Sequence, residues 1–264
     1  MTVDPTGLGR AIEIVDVGHA FLANTGKNVT ALLPTSLTVR PGEFLCLVGP
    51  SGCGKTTLLN LAAGLMAPTS GKITLDGKAP RMGDFDVGYL MARDSLFPWR
   101  TALENVMLPL IIRHVPIAQA TEQAMKILTM VGLGDFANSY PSQLSHGMRQ
   151  RTALARTLVV EPKTLFMDEP FSALDAETRL QLQQKFLELW EQHQSTVLFV
   201  THDLAEAIAL ADRIAVFSAR PGRIKQLFDI DLPRPRKLLD LQGQKSYHEL
   251  FQEIWQTFRV EVKV

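Results

Sequence analysis

The chain has 264 residues, of which 46% are hydrophobic and 20% are charged, so it is long enough for one large globular domain or two small ones. Its 27 lysines and arginines balance its 27 aspartates and glutamates. A balanced chain has no overall positive field to attract nucleic acid or an anionic membrane, and the sequence contains no local basic patch, so we expect no nucleic-acid partner.

The N-terminal third alternates apolar and polar residues. The segments IEIVDVGHAF, SLTVRPGEF and GKITLDGK are separated by turn residues, which favours an antiparallel β section. The first 18 residues lack the basic start and apolar core of a signal peptide, so no secretion signal is expected there.

A glycine-rich segment, GPSGCGKTT, follows the apolar run FLCLV and precedes a helical pattern. It fits G-x-x-x-x-G-K-[ST] in the strand–loop–helix context that this motif requires. In such a loop the backbone N–H groups bind a polyphosphate, the lysine reaches the outer phosphates, and the hydroxyl after it ligates Mg²⁺. The predicted nucleotide-binding residues are Gly49, Pro50, Ser51, Gly52, Cys53, Gly54, Lys55, Thr56 and Thr57, with Thr56 also a metal ligand.

Short apolar runs alternate with helical patterns through the rest of the chain, which is typical of an α/β core. Buried parallel strands are predicted at 44–49, 164–168, 196–202 and 213–218, and helices at 55–65, 148–160, 177–193 and 203–210. A mostly helical stretch within about 101–160 predicts a helical subdomain carried by this core. Gly132 lies near a helix end in that stretch.

An acidic pair, Asp168 and Glu169, ends the apolar run TLFMD. Carboxylates at the end of a buried strand, downstream of a phosphate loop, can face the phosphate site. We expect Asp168 to hold a hydrated Mg²⁺ and Glu169 to polarise an attacking water.

The C-terminal segment from about 244 to 259 predicts an amphipathic helix. Its apolar face consists of Tyr247, Leu250, Phe251, Ile254, Trp255 and Phe258. Packing on its own domain or on a dimer partner is favoured over membrane-surface binding, because the polar face carries Glu and Gln rather than a row of lysines.

Two observations bear on the compartment. The only cysteines, Cys46 and Cys53, are too few for a disulfide framework and lack metal-ligand spacing, which favours a reducing cytosol. No uncharged apolar stretch approaches the ~18 residues that a membrane span needs, although the protein can still dock on a membrane-embedded partner.

The segment LSHGMRQRTALARTLVVEPKTLFMDEPFSALD, residues 144–175, resembles the signature-to-D-loop block of ATP-binding cassette (ABC) ATPases, and the resemblance covers nearly the whole chain. It implies a single domain over residues 1–264 with an α/β P-loop NTPase core, an N-terminal antiparallel β section and a helical signature subdomain. It also implies that ATP is the nucleotide, that His202 in VTHD is the catalytic switch histidine, and that Phe21 in VGHAF stacks on adenine.

The resemblance further implies a head-to-tail dimer with two ATP molecules at the interface. The signature residues Ser145 and Gly147 and the D-loop residue Asp175 would then act on the ATP of the partner subunit. His146 stands where the first of two signature glycines is expected. A side chain there is acceptable if the backbone is ordinary and the ring points away from the nucleotide.

Within the family the chain looks most like ATPase subunits of bacterial importers for nitrate, sulfonates, taurine and bicarbonate. The segments that carry this likeness are DSLFPWRTALENV, LSHGMRQR, FSALDAETR and IDLPRPRK. The resemblance implies a second ATPase subunit, most simply an identical one. It also implies integral membrane permease subunits, a separate solute-binding protein, and a peripheral location on the cytoplasmic face of the inner membrane.

Three other classes of nucleotide-binding protein share some of these motifs. A cytosolic ABC ATPase of DNA repair or translation would need a long coiled-coil insertion or a second cassette, and a P-loop kinase or GTPase would not explain LSHGMRQR. A nucleotide-binding module with little turnover has one feature in its favour: Ala92 stands where the family has a glutamine beside the metal and water. Alanine cannot hydrogen-bond that water. The sequence therefore predicts either hydrolysis by Glu169 and His202 with weaker coupling, which we favour, or a weak subunit in a mixed pair.

Overall fold

The computed structural model describes residues 9–22 and 28–262, with the side chain of Val262 excepted. Three strands form an antiparallel sheet in the order β2-β1-β4: β1 (Ile12–Leu22), β2 (Asn28–Val39) and β4 (Ser70–Leu75). These strands correspond to the alternating segments of the N-terminal third, and the predicted antiparallel section is confirmed.

A second sheet has six strands in the order β5-β6-β7-β3-β8-β9. They are β3 (Phe44–Val48), β5 (Val87–Leu90), β6 (Thr164–Asp168), β7 (Thr196–Thr201), β8 (Arg213–Phe217) and β9 (Ile224–Asp229). The neighbouring pairs from β5 through to β8 are parallel, whereas β9 pairs antiparallel with β8. The sequence analysis did not predict β9, because its residues IKQLFD show neither a regular apolar alternation nor a continuous apolar run.

Within residues 9–22 and 28–262, eight α-helices connect and flank the strands. They are α1 (Lys55–Ala62), α2 (Ala102–Ile112), α3 (Ile117–Met130), α4 (His146–Leu158), α5 (Ala176–His193), α6 (Leu204–Leu210), α7 (Leu238–Leu241) and α8 (Lys245–Val262). No helix within the described residues has both the length and the hydropathy of a membrane-spanning segment.

Two apolar cores lie on opposite faces of the six-stranded sheet. Along β3, Phe44 and Cys46 belong to the core shared with α4, α5 and the helices α2 and α3, whereas Leu45 and Leu47 belong to the core shared with α1 and the antiparallel sheet. Because β3 is buried on both faces, it reads as a continuous apolar run rather than an alternating one. This central position fixes the loop that leaves its C-terminal end.

Helices α2, α3 and α4 pack together beside the sheet. Helix α2 begins with a capping box, in which the Thr101 hydroxyl accepts from the Glu104 backbone N–H and the Glu104 carboxylate accepts from that of Thr101. Helix α3 is followed by Gly132 at φ 72°, the left-handed conformation that glycine adopts at helix C-termini.

The C-terminal helix α8 packs against α6 and β8 of its own chain. Tyr247, Ile254 and Phe258 are buried, while Trp255 is 38% exposed and stacks on Phe251. The apolar face predicted from the sequence therefore contributes Tyr247, Ile254 and Phe258 to the core of this chain. Trp255, on the same face, is partly exposed at the surface.

Candidate nucleotide-binding site

The glycine-rich loop connects the end of β3 to the start of α1. Gly52 and Gly54 have φ values of 74° and 104°, a region that favours glycine. A Cβ on Gly54 would lie 2.7 Å from the backbone oxygen of Ala31. Glycine is therefore required at Gly54 both by backbone conformation and by space.

Lys55 is buried inside this loop. Its ammonium donates to the backbone oxygens of Gly49, at 2.7 Å, and Pro50, at 2.9 Å. Both acceptors are neutral, and no carboxylate lies within 4 Å of the ammonium among the residues that the structure describes. The ammonium also contacts Cys53 Sγ at 3.7 Å. A buried cation whose partners are all neutral suits an anionic ligand, because a bound phosphate would supply the missing opposite charge.

Thr56 and Asp168 meet across the space between α1 and β6. The Thr56 hydroxyl donates to Asp168 Oδ1 at 3.1 Å. Burial raises the pKa of Asp168, and the hydrogen bond from Thr56 opposes that rise. One hydroxyl and one carboxylate form an all-oxygen donor set, which fits Mg²⁺ that takes its remaining ligands from phosphate and water.

Glu169 follows β6 with a strained backbone, φ 48°, in the left-handed region. Such conformations cluster at functional sites and need support from their surroundings. Here the Glu169 N–H donates to Val200 O at 2.9 Å, and its carbonyl accepts from Gln150 Nε2 at 3.2 Å and from the Ser172 hydroxyl at 3.0 Å. The side chain is thereby directed towards His202, whose Nδ1 lies 3.2 Å from Glu169 Oε2.

A small cavity adjoins the Glu169–His202 pair, and three further charged residues line it: Arg179, Asp203 and Glu206. Arg179 donates to Leu174 O at 2.8 Å and lies 3.9 Å from the Asp203 carboxylate. Glu206 is buried and accepts from Gln183 Nε2 at 2.7 Å. The sequence analysis missed all three residues, because nothing in their local sequence distinguishes them from ordinary helix and helix-cap residues.

An open cleft runs over the glycine-rich loop. It is lined by Phe21, Ala31, Ser51, Gly52, Gly54, Lys55, Thr56, Thr57, Glu169 and Arg220. Phe21 is 42% exposed and packs edge-on against His19, with ring centroids 4.6 Å apart. Of the residues predicted from the loop, Gly49, Pro50 and Cys53 are absent from this lining; Gly49 and Pro50 instead hold the Lys55 ammonium. The cleft also includes Arg220, which the sequence analysis did not predict.

The signature residues lie away from this cleft. Ser145 caps α4, its hydroxyl accepting from the Met148 N–H at 3.2 Å. His146 is exposed in the first turn of α4, so its side chain does not require an unusual backbone. Gly147 packs against Leu174, which a Cβ would approach to 3.2 Å. Asp175 caps α5, and hydrogen bonding from Thr178 lowers its pKa. Their positions are compatible with action on a different molecule's nucleotide.

Ala92 is exposed in the loop after β5 and is absent from the cleft lining. The next residues attach this loop to α4. Asp94 Oδ2 accepts from Arg149 Nε at 2.9 Å, and Arg156 donates to the backbone oxygens of Asp94 and Ser95. The loop is therefore fixed to the helical subdomain by residues that follow Ala92.

A parallel sheet whose central strand feeds a glycine-rich phosphate loop, with an acidic pair at the end of a neighbouring strand, defines a P-loop nucleoside triphosphatase. Residues 32–172 match the ABC transporter family. Together with the relatives described next, this match shows that the chain belongs to the ABC transporter ATP-binding family, and it is an ATPase coupled to transport.

Three relatives illustrate the family. An uncharacterised ABC transporter ATP-binding protein of Methanocaldococcus jannaschii is 50% identical over 211 residues, which span 80% of this chain and 79% of that protein. The nitrate import ATP-binding protein NrtD of Synechocystis is 42% identical over 222 residues, 84% of this chain and 83% of its own. The bicarbonate transport ATP-binding protein CmpC of Synechococcus elongatus is 41% identical over 246 residues, 92% of this chain but 37% of its own length.

Solved structures agree with the fold. The dimeric structure of MJ0796, a bacterial ABC transporter cassette, superimposes with a TM-score of 0.76 at 32% identity and covers 84% of this chain and 100% of that one. The post-hydrolysis dimer of the same cassette, bound to ADP and Pi, matches with a TM-score of 0.76 at 31% identity. The predicted α/β P-loop fold and the predicted ATPase class are thus confirmed.

Proposed function

We propose that this chain is the ATP-hydrolysing subunit of a bacterial importer and that Glu169 and His202 carry its chemistry. The observation that carries this proposal is the position of Glu169, which contacts His202 and also lines the cleft containing Lys55. A carboxylate in that position can orient and polarise a water molecule beside a terminal phosphate. His202, whose Nδ1 lies 3.2 Å from Glu169 Oε2, would hold the carboxylate or the phosphate in position by hydrogen bonding.

In this proposal the phosphates of ATP lie along Ser51–Thr57, and Lys55 exchanges its carbonyl partners for the outer phosphates. Thr56 and Asp168 would hold Mg²⁺, which neutralises charge on the phosphates. Phe21 would stack on adenine at the other end of the cleft. Support comes from the exposure of its ring inside the same cleft as the phosphate loop.

We further infer that two copies of the chain sandwich two ATP molecules, with Ser145, Gly147 and Asp175 of each copy facing the other's nucleotide. The N-terminus of α4 carries a partial positive charge that suits a phosphate. Hydrolysis would remove the ligand between the copies and so allow them to separate.

The membrane permease would dock on the loop before α2. Phe97 and Trp99 are exposed there, with ring centroids 5.5 Å apart, and Trp99 is 70% exposed. The fully buried Asn105 fixes this loop, accepting from the Phe97 N–H at 2.8 Å and donating to three loop carbonyls. Exposed aromatic rings on a rigid backbone suit a protein interface. Such docking would keep the subunit on the cytoplasmic face of the inner membrane.

The transported solute would be a small anion or zwitterion such as nitrate, bicarbonate, a sulfonate or taurine, delivered by a solute-binding protein. The nitrate and bicarbonate relatives support this class. The alternative is a weakened subunit that mainly binds nucleotide in a mixed pair. Ala92 favours it, because the side chain there has no hydrogen-bonding group.

The experiment is Mg-ATP turnover by the purified chain together with its membrane subunits. Glu169→Gln keeps the shape of the side chain and should lower kcat ~10²- to 10⁴-fold. The exposed Glu253 on α8 provides a matched control, Glu253→Gln, which should leave kcat unchanged. If the assembly has no Mg-ATP turnover and Glu169→Gln changes nothing, the hydrolytic proposal fails and the nucleotide-binding alternative replaces it.

A further inference from the structure

Arg220 occupies an unexpected position in the nucleotide cleft. It lies in the turn between β8 and β9, more than 160 residues beyond the glycine-rich loop, yet its side chain lines the same cleft as Phe21 and Lys55. A guanidinium in a cleft that accepts a polyanion has an obvious chemical partner, because it forms strong, charge-assisted hydrogen bonds to phosphate oxygens.

The backbone of this turn is hydrogen-bonded to strand β2 and lies against the phosphate loop. The Gly222 N–H donates to Ala31 O at 3.0 Å, and the Gly222 carbonyl accepts from the Leu33 N–H at 2.8 Å. A Cβ on Gly222 would lie 1.8 Å from the Cys53 carbonyl oxygen. Arg220 therefore starts from a backbone position that is set by the phosphate loop and by the strand β2 next to Phe21.

The opposite side of the turn is fixed by the C-terminal helix. The Ala219 N–H donates to Glu261 Oε2 at 2.9 Å, and Glu261 Oε1 pairs with Lys225 at 3.0 Å. The Ser218 hydroxyl closes the turn by donating to Pro221 O at 3.2 Å. The turn is thus anchored on two sides. The Glu261 carboxylate is bound to Ala219 and Lys225 rather than to Arg220.

The guanidinium itself is exposed and lacks a partner of opposite charge. Across residues 9–22 and 28–262, no carboxylate lies within 4 Å of Arg220, whereas Arg149, Arg213 and Arg234 each pair with at least one. Its nearest basic neighbour in the turn, Arg223, does not line the cleft. Arg220 is therefore the cation of this turn that is available to a ligand in the cleft.

We propose that Arg220 binds the phosphate chain of the nucleotide and helps to position it. This inference depends on the nucleotide site proposed above. Its role is binding rather than bond breaking, since Glu169, His202 and Lys55 already surround the expected position of the terminal phosphate. Loss of the guanidinium should therefore raise the Kd and KM for ATP and leave kcat nearly unchanged.

The test measures ATP binding by displacement of a fluorescent ATP analogue from the full chain. Arg220→Gln should raise the Kd for ATP roughly 5- to 10-fold, the size expected for one partly exposed charge-assisted hydrogen bond. Arg220→Lys should recover part of the loss, because it retains the charge without the planar fork. The matched control is Arg223→Gln, which removes one positive charge from the same turn and should leave the Kd within about 2-fold.

Two reference measurements separate the possible failures. Lys55→Ala tests the nucleotide site itself. If Lys55→Ala weakens ATP binding while Arg220→Gln does not, the Arg220 inference is wrong and the proposed nucleotide site stands. If neither change weakens ATP binding, both the Arg220 inference and the proposed nucleotide site are wrong. Inorganic tripolyphosphate is the second competitor. A phosphate contact requires Arg220→Gln to weaken tripolyphosphate and ATP alike, and weakening of ATP alone would assign Arg220 to the base or ribose and overturn the proposal.

Discussion

Glu206 gives the protein a pH-dependent stability that one substitution should remove. This glutamate lies in the first turn of α6, behind His202, and its carboxylate is buried beside Gln183. Burial raises the pKa of Glu206 from 4.5 to about 7, and the neighbouring Asp203 adds to the rise, while hydrogen bonds from Thr201 and Gln183 and the charge of Arg179 oppose it.

The raised pKa of Glu206 makes the folded protein bind more protons than the unfolded chain over part of the pH range. Between pH 4.5 and about 7 the folded state holds a proton on Glu206 that the unfolded state has lost. The free energy of unfolding therefore falls as pH rises through this window and is level above it. At 1.36 kcal/mol per pKa unit, a rise from 4.5 to about 7 corresponds to at most ~3 kcal/mol.

Glu206→Gln mimics the protonated carboxyl at every pH and keeps an oxygen to accept from Gln183. Urea unfolding at pH 5, 6, 7 and 8 should show little difference between variant and parent at pH 5 and an advantage of up to ~3 kcal/mol for the variant at pH 8. Glu253→Gln, at an exposed position on α8, should show no such trend. A difference between Glu206→Gln and the parent that stays constant from pH 5 to 8 would refute the assignment of the proton to Glu206.

Three further changes test other parts of the site. Ala92→Gln should raise Mg-ATP turnover of the assembled transporter by about 3- to 10-fold, because in the proposed site a glutamine at this position would reach the metal and water with one hydrogen-bonding group; an unchanged rate would mean that the loop keeps this position away from the nucleotide. Asp94→Ala should lower the free energy of unfolding by only ~1 kcal/mol, since its pair with Arg149 is partly exposed. Hydrogen exchange at the start of α4 should nevertheless increase, and unaltered exchange would contradict the coupling. Gly222→Ala should raise the Kd for ATP by moving the Cys53 carbonyl, whereas Gly77→Ala, at a turn with open space around it, should leave the Kd unchanged.

The sequence predicted those parts of the fold and site that are formed by residues contiguous in the chain. The strand, glycine-rich loop and helix around Lys55 are contiguous, and so are β6 and the acidic pair that follows it, so pattern and spacing were sufficient. The edge strand β9 was missed because its apolar residues, Ile224, Leu227 and Phe228, neither alternate with polar ones nor form a continuous run. Arg220, Gln150 and Glu206 were missed for a different reason: each reaches the site through a tertiary contact, and its neighbours in sequence carry no sign of that contact.

The segment IDLPRPRK illustrates the same difference. In the sequence it serves only as a mark of likeness to importer ATPases, but in the structure its two central arginines have packing roles. Arg234 lies over the Trp190 ring, 4.3 Å from the centroid, and pairs with Asp212. Arg236 is buried and donates to carbonyls at the end of α6, including Ala211 O at 2.7 Å. A buried cation at a helix C-terminus stabilises the unpaired carbonyls there.

The loop that contains Ala92 is held by contacts that do not involve the missing glutamine. Asp94 and Ser95 are bound to α4 through Arg149 and Arg156, and Phe97 is bound to α2 through Asn105. Movement of the helical subdomain should therefore reach the exposed Phe97 and Trp99 whether or not position 92 contacts the nucleotide. On the family pattern, a glutamine at position 92 would link this loop to the metal and water, and alanine would not. We accordingly expect a transporter that still hydrolyses ATP but is less tightly coupled, because the mechanical connection to the permease surface remains intact while the chemical connection is weakened.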